Sequence, residues 1–141
     1  MKVDVPGLKA SSGEAYPTIP AGSYPVGVTK LEPRENKPSD TYPNGSMSLL
    51  VQVTVAPGEE NAGHKLSKFM KIPPYPKEMD DGKQAWHTNQ LKRLCIACGL
   101  DITKDSFDTD QLFGQQFTAV VSWKDDGTGP KNEIRDYLTI G

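Results

Sequence analysis

Apolar and polar residues alternate along several stretches of this chain, and once the spacing turns helical. In "SYPVGVTKLEP" (23–33), Tyr24, Val26 and Val28 recur at every second position, which predicts a first strand ending near Pro33. The loop "RENKPSDTYPNGS" (34–46) follows, dense in turn formers and charge. The clearest strand is 48–56, where Leu49, Val51, Val53 and Val55 alternate with Gln52 and Thr54. After the turn "PGEENAG" (57–63), a third strand over 64–72 runs antiparallel to the second. Its Leu66, Met70 and Ile72 face inward if Lys68 sits near a bulge or rim, and Phe69 and Lys71 then face the opposite side.

Past the proline-rich "PPYP" (73–76) the period changes. Trp86 or His87, Leu91, Leu94, Cys95 and Cys98 fall at helical spacing, predicting a helix from about 83 to 98 with Gly99 as its C-terminal stop. Trp86 is expected to plug the end of a barrel. Residues 106–115 read as a short helical turn, with Phe107, Leu112 and Phe113 available to pack. Two further strands, 116–126 and 131–141, flank the glycine turn 127–130, and residues 1–22 read as an irregular N-terminal arm. Three strands, a helix and two strands is the element order of the OB-fold. The expected class is therefore all-β: a five-stranded Greek-key barrel over 23–141 with a helix between strands 3 and 4. Other small β-barrels share that order.

Composition agrees with this class. The chain has 141 residues, the length of one domain, and its 13 glycines and 12 prolines suit many turns between short elements. No apolar run approaches the ~20 residues that span a bilayer, and no signal-like stretch opens the chain, so a soluble cytosolic protein without a membrane role is expected. The formal net charge is −2 and the pI about 5.7, which argues mildly against nucleic acid. Local distribution matters more, because screening over roughly 8–10 Å separates one face from another. "GHKLSKFMKIPPYPK" (63–77) holds Lys65, Lys68, Lys71 and Lys77 around Phe69 and Tyr75, with no acid among them.

Such a stretch supplies what a single nucleic-acid strand needs: cations along the phosphates and flat rings for the bases. Lys65, Phe69, Lys71 and Tyr75 form the candidate centre, and Lys30 and Arg34 extend it from the first strand and its loop, with Lys37 beyond. Lys124, Lys131 and Arg135 offer a second segment from the closing hairpin. There Tyr137, which shares a strand face with Arg135, is a stacking candidate; Trp123 alternates with Val121 and Ala119 and is expected in the core. Tyr24 and Tyr42 read as packing or loop residues. Each lysine has the plainer alternative of a solubility or edge-protection role, and a one-residue slip in register would send Phe69 inward.

Catalytic patterns are sparse. Carboxylates concentrate in turns, and no Ser-His-Asp arrangement, phosphate-cradling glycine loop or HExxH occurs, so no enzymatic activity and no cofactor are expected. Cys95 and Cys98 form a C-x-x-C near a helix end. With His87 they allow a three-ligand metal site in principle, but without a second pair the expected reading is core packing and no metal.

Four segments, "IPAGSYPVGVTKLEPREN", "AGHKLSKFMKI", "LKRLCIACGL" and "LFGQQFTAVVSWKDDGTGPKNEIRDYL", occur in this order. Together they resemble a bacteriophage family of OB-fold single-stranded DNA-binding proteins, long catalogued as a domain of unknown function in replication and recombination modules. The resemblance covers about residues 19–138, and its most specific piece is "KNEIRDY" after a glycine turn, joined to the preceding "GQQFTAVV". It implies a non-catalytic protein in the cytoplasm of a bacterial host that coats transiently exposed single strands. A phage recombinase, helicase or polymerase would be its partner, and a homodimer would benefit from linked sites on one strand. Many single-stranded DNA-binding proteins end in an acidic recruiting tail; this sequence ends in "LTIG", so recruitment is expected to use another surface or to be absent. Two alternatives remain: a β-barrel module that recruits a recombinase or polymerase with little DNA affinity of its own, and the small metalloprotein.

Overall fold

A computed structural model of the chain describes residues 1–9, 18–127 and 129–140. Five strands form one antiparallel sheet: β1 (Gly22–Asn36), β2 (Ser46–Val55), β3 (Lys65–Ile72), β4 (Gln116–Asp125) and β5 (Pro130–Leu138). One α-helix, α1 (Asp81–Ala97), lies between β3 and β4 in the chain, and a 3-10 turn covers Thr109–Gln111. The order across the sheet is β3-β2-β1-β4-β5.

The long central strand makes this order possible. Gly22–Gly27 of β1 pairs with β4, while Val26–Asn36 pairs with β2. Beyond Val28, which still bonds to Gln115 and Gly114, one edge of β1 carries no partner strand, and Pro33 is accommodated there. For that reason β1 runs three residues past the stop expected at Pro33. A bulge between Val28 and Lys30 bends the strand, and a bent, twisted sheet curls. Curling brings the outer strands together: Lys68 Nζ donates to the Ile134 carbonyl across 2.7 Å, and the Tyr137 hydroxyl meets Met70 Sδ at 3.8 Å. The result is a barrel-like all-β fold.

Its interior holds Val26, Val28, Leu49, Val51, Val53, Val55, Leu66, Met70, Phe117, Ala119, Val121 and Ile134, all 6% exposed or less. The strands bury one alternating set of residues, as the sequence pattern predicts. Helix α1 contributes Leu91, Leu94, Cys95 and Ala97 to the same core, and its C-cap Cys98 joins them. Asp80 caps its start by accepting from the Lys83 amide (2.8 Å), and Gly99 at φ +87° ends it at the expected stop.

Three expectations need correction. Trp86 is not a barrel plug: it stands beside the buried helix stripe rather than on it and is 56% exposed. Phe113 is likewise exposed, whereas Leu112 is fully buried. Trp123 keeps the inward parity of Val121 but lies where β4 runs beyond the core, so it is half exposed and donates Nε1–H to Thr18 Oγ1 (3.0 Å). Within the segment read as an irregular arm, Ile19 is buried and exchanges two hydrogen bonds with the Asn132 side chain (2.9 and 2.8 Å). Residues 10–17 lie outside the described residues.

Candidate nucleic-acid interface

Strand alternation and ladder register build one outward face from β1, β2 and β3. Leu66, Lys68 and Met70 point toward the interior, which leaves Lys65, Ser67, Phe69 and Lys71 outside. Lys68 reaches the seam with β5 rather than solvent, and burial lowers its pKa. Across the sheet the outward residues align in three rows: Ser67–Gln52–Lys30, Phe69–Leu50–Glu32 and Lys71–Ser48–Arg34.

The middle row carries the aromatic platform. Phe69 is 58% exposed, while its neighbour Leu50 is only 6% exposed. The Arg34 guanidinium carbon lies 5.9 Å from the Phe69 ring centroid, a cation–π arrangement. Glu32 sits between Lys30 and Arg34, 3.4 Å from each. A hydrogen bond from Lys30, then the charge of Arg34, holds its carboxyl below the usual carboxylate range. Lys71 Nζ donates to Ser46 Oγ (2.7 Å) and stands 5.3 Å from the Tyr42 ring centroid. Asn36 Nδ2 donates to Ser46 Oγ (3.0 Å) and Ser48 Oγ (2.7 Å), which fixes the strand ends beneath Lys71. On this face four cations, Lys30, Arg34, Lys65 and Lys71, stand against one carboxylate.

Beside this face the β1–β2 loop and the segment leaving β3 enclose a cleft of about 710 Å³, lined in part by Glu35, Lys37, Asn44, Tyr75 and Lys77. Gly45 shapes it. At φ +78°, with a Cβ that would stand 2.6 Å from the Asn36 carbonyl oxygen, no other residue fits there without moving backbone. Tyr75 is tethered by a hydroxyl hydrogen bond to Thr88 Oγ1 on α1 (2.9 Å), and its ring centroid is 6.3 Å from that of His87. Burial, then the charges of Lys71 and Lys83, lowers the His87 pKa.

The closing hairpin is different. Lys131 pairs with Asp126 (3.7 Å), and Arg135 pairs with Glu133 (3.0 Å) and reaches Ser122 Oγ (3.3 Å). Lys124 is exposed directly opposite Lys131. Tyr137 does not belong to a surface at all: it is 5% exposed and packs 5.7 Å from Phe117. A register shift between Val120 and Val121 leaves Arg135 without a ladder partner, so Tyr137 shares the inward face of Ile134 instead of the face of Arg135. Strict alternation carried no sign of that bulge.

Lys30, Arg34, Lys65, Phe69 and Lys71 thus share the outer sheet face, Tyr75 lines the cleft beside it, and Lys124, Lys131 and Arg135 lie on a hairpin where acids take two of the three. Tyr42, read from the sequence as a packing or loop residue, stands beside Lys71 at the end of this face. Tyr42 sits in a loop without periodicity, and its only advance signal is that the loop returns the chain to a strand beside the lysine-bearing one. Cys95 and Cys98 are buried thiols with raised pKa values, that of Cys98 pushed up by burial to about 12. Among the described residues no three His, Cys, Asp or Glu side chains converge as a metal site. Comparison with protein-family models and with curated proteins finds no match to this chain.

Proposed function

We propose that this protein binds single-stranded DNA without sequence preference, by base stacking and phosphate neutralisation, on an OB-fold barrel, and that it is not an enzyme. The observation that carries the proposal is Phe69, exposed on the outer sheet face with Arg34 over its ring and Lys65 and Lys71 on the same strand face. An exposed phenylalanine among ammonium groups is costly in water and useful against a polyanion with π-faces. The sheet order, the helix between β3 and β4 and the meeting of β3 with β5 support the OB assignment, because OB-folds present this strand face and its loops to oligonucleotides. Stacking on a ring and charge neutralisation by ammonium groups act on any base and any phosphate, so sequence tolerance is expected. The resemblance of residues 19–138 to phage single-stranded DNA-binding proteins favours DNA over RNA and a role in phage replication or recombination.

The test is titration of a fluorescently labelled oligo-dT at two salt concentrations, about 50 and 200 mM. Four engaged cations give a slope of log affinity against log salt of roughly −3, a loss of roughly fiftyfold over that range. A mixed-sequence strand should bind similarly. No binding, or binding indifferent to salt, would leave the alternative of an interaction module.

A further inference from the structure

The row of rings and ammonium groups does not stop at Phe69. Lys71 lies two residues further along β3, about 7 Å away along the strand. Its Nζ donates to Ser46 Oγ (2.7 Å), and Ser46 lines the same cleft as Tyr75, so this end of β3 adjoins the segment that leads into α1. There Tyr75, His87 and Trp86 form a continuous line, with centroid separations of 6.3 Å and 5.0 Å and the last pair edge-on at 81°. Lys83 is one helical turn before Trp86 and also acts on His87. Of the acids at the helix start, Asp80 is occupied as the N-cap, while Asp81 is an exposed carboxylate in the first turn, five residues before Trp86. The cleft lined by Lys37, Tyr75 and Lys77 borders this line on the side of the β1–β2 loop.

Trp86 is otherwise hard to account for. An indole that is 56% exposed buys no core packing, and its own neighbour His87 is already closer to the helix stripe. We infer that Trp86 is a second stacking platform for the same strand, which passes from Phe69 over Lys71 and Tyr75 to the first turns of α1. The inference rests on the single-strand reading above. It lengthens the site by a ring carried on a helix, a rigid mount compared with a loop, and assigns the strand a direction out of the sheet face.

The chain has two tryptophans, so the test uses the full-length Trp123→Phe protein, in which Trp86 is the only indole. Unlabelled oligo-dT should quench its emission saturably, in step with anisotropy of a labelled strand. In a separate variant, Trp86→Ala should weaken binding by roughly 5- to 100-fold, and Trp86→Phe should retain most of it. A strand that binds by anisotropy while Trp86 emission stays constant and Trp86→Ala binds as the parent does would overturn this inference and leave the Phe69 site standing. Absence of any strand binding would overturn both.

Discussion

Phe69→Ala removes the ring at the centre of the candidate face while leaving the fold little reason to change. The side chain is 58% exposed and lies outside the core cluster, so the stability cost should stay under about 1 kcal/mol, chiefly from uncovering Leu50. If one base stacks on the ring, its loss weakens binding by ~1–3 kcal/mol, which is roughly 5- to 150-fold in dissociation constant. Phe69→Leu separates two explanations, because leucine still covers Leu50 but offers no flat surface. It should bind nearly as weakly as alanine, whereas Phe69→Tyr should bind like the parent. Lys71→Ala should behave differently, shallowing the salt slope by about 0.7 for one lost phosphate contact. The assay is anisotropy of labelled oligo-dT at fixed salt, with a urea melt of each variant to confirm folding. Folded Phe69→Ala that binds within about twofold of the parent would refute the stacking argument.

Three other perturbations test separate parts of the account. Glu32→Gln frees Lys30 and Arg34 from the carboxylate between them and removes a like charge from the phosphate path, so binding should tighten and its salt slope steepen; weaker binding would mean that Glu32 serves to position the two cations. Lys68→Met deletes the hydrogen bond to Ile134 across the β3–β5 seam and should cost about 1–2 kcal/mol in a urea melt, with strand affinity unchanged if the melt remains cooperative. Cys98 keeps its proton to about pH 12 when folded, whereas an unfolded thiol ionises near ~8.5. Stability from this group is therefore complete below ~8.5 and declines as pH rises from there toward 12, and native protein at pH ~9 should alkylate with iodoacetamide far more slowly than protein in urea. Equal rates would show that the thiol is not enclosed.

Much of this arrangement was readable from spacing alone. Period-two runs such as Leu49–Val51–Val53–Val55 located the strands because one face of each must be buried. The switch to helical spacing between Leu91 and Cys98, with Gly99 behind it, located the helix. The outward orientation of Phe69 and Lys71 followed from the same parity. What escaped was whatever breaks parity or arises between distant segments. The β4–β5 bulge turned Tyr137 inward, and the end of β4 outran the core and left Trp123 in solvent. The neutralisation of Arg135 and Lys131 by Glu133 and Asp126, and of Lys30 and Arg34 by Glu32, depends on side-chain reach rather than on pattern. Trp86 misled because a large apolar residue on a helix is usually core, and only the position of the buried stripe distinguishes the two cases.

An NMR titration of the full chain with a short oligo-dT reads the interface directly, residue by residue. The largest amide shifts should fall on Lys30–Asn36, Ser46–Gln52 and Lys65–Lys71, extending to Tyr75 and the first turns of α1. Shifts centred instead on the β4–β5 hairpin, or spectra unchanged by excess strand, would contradict the assignment of this sheet face to single-stranded DNA.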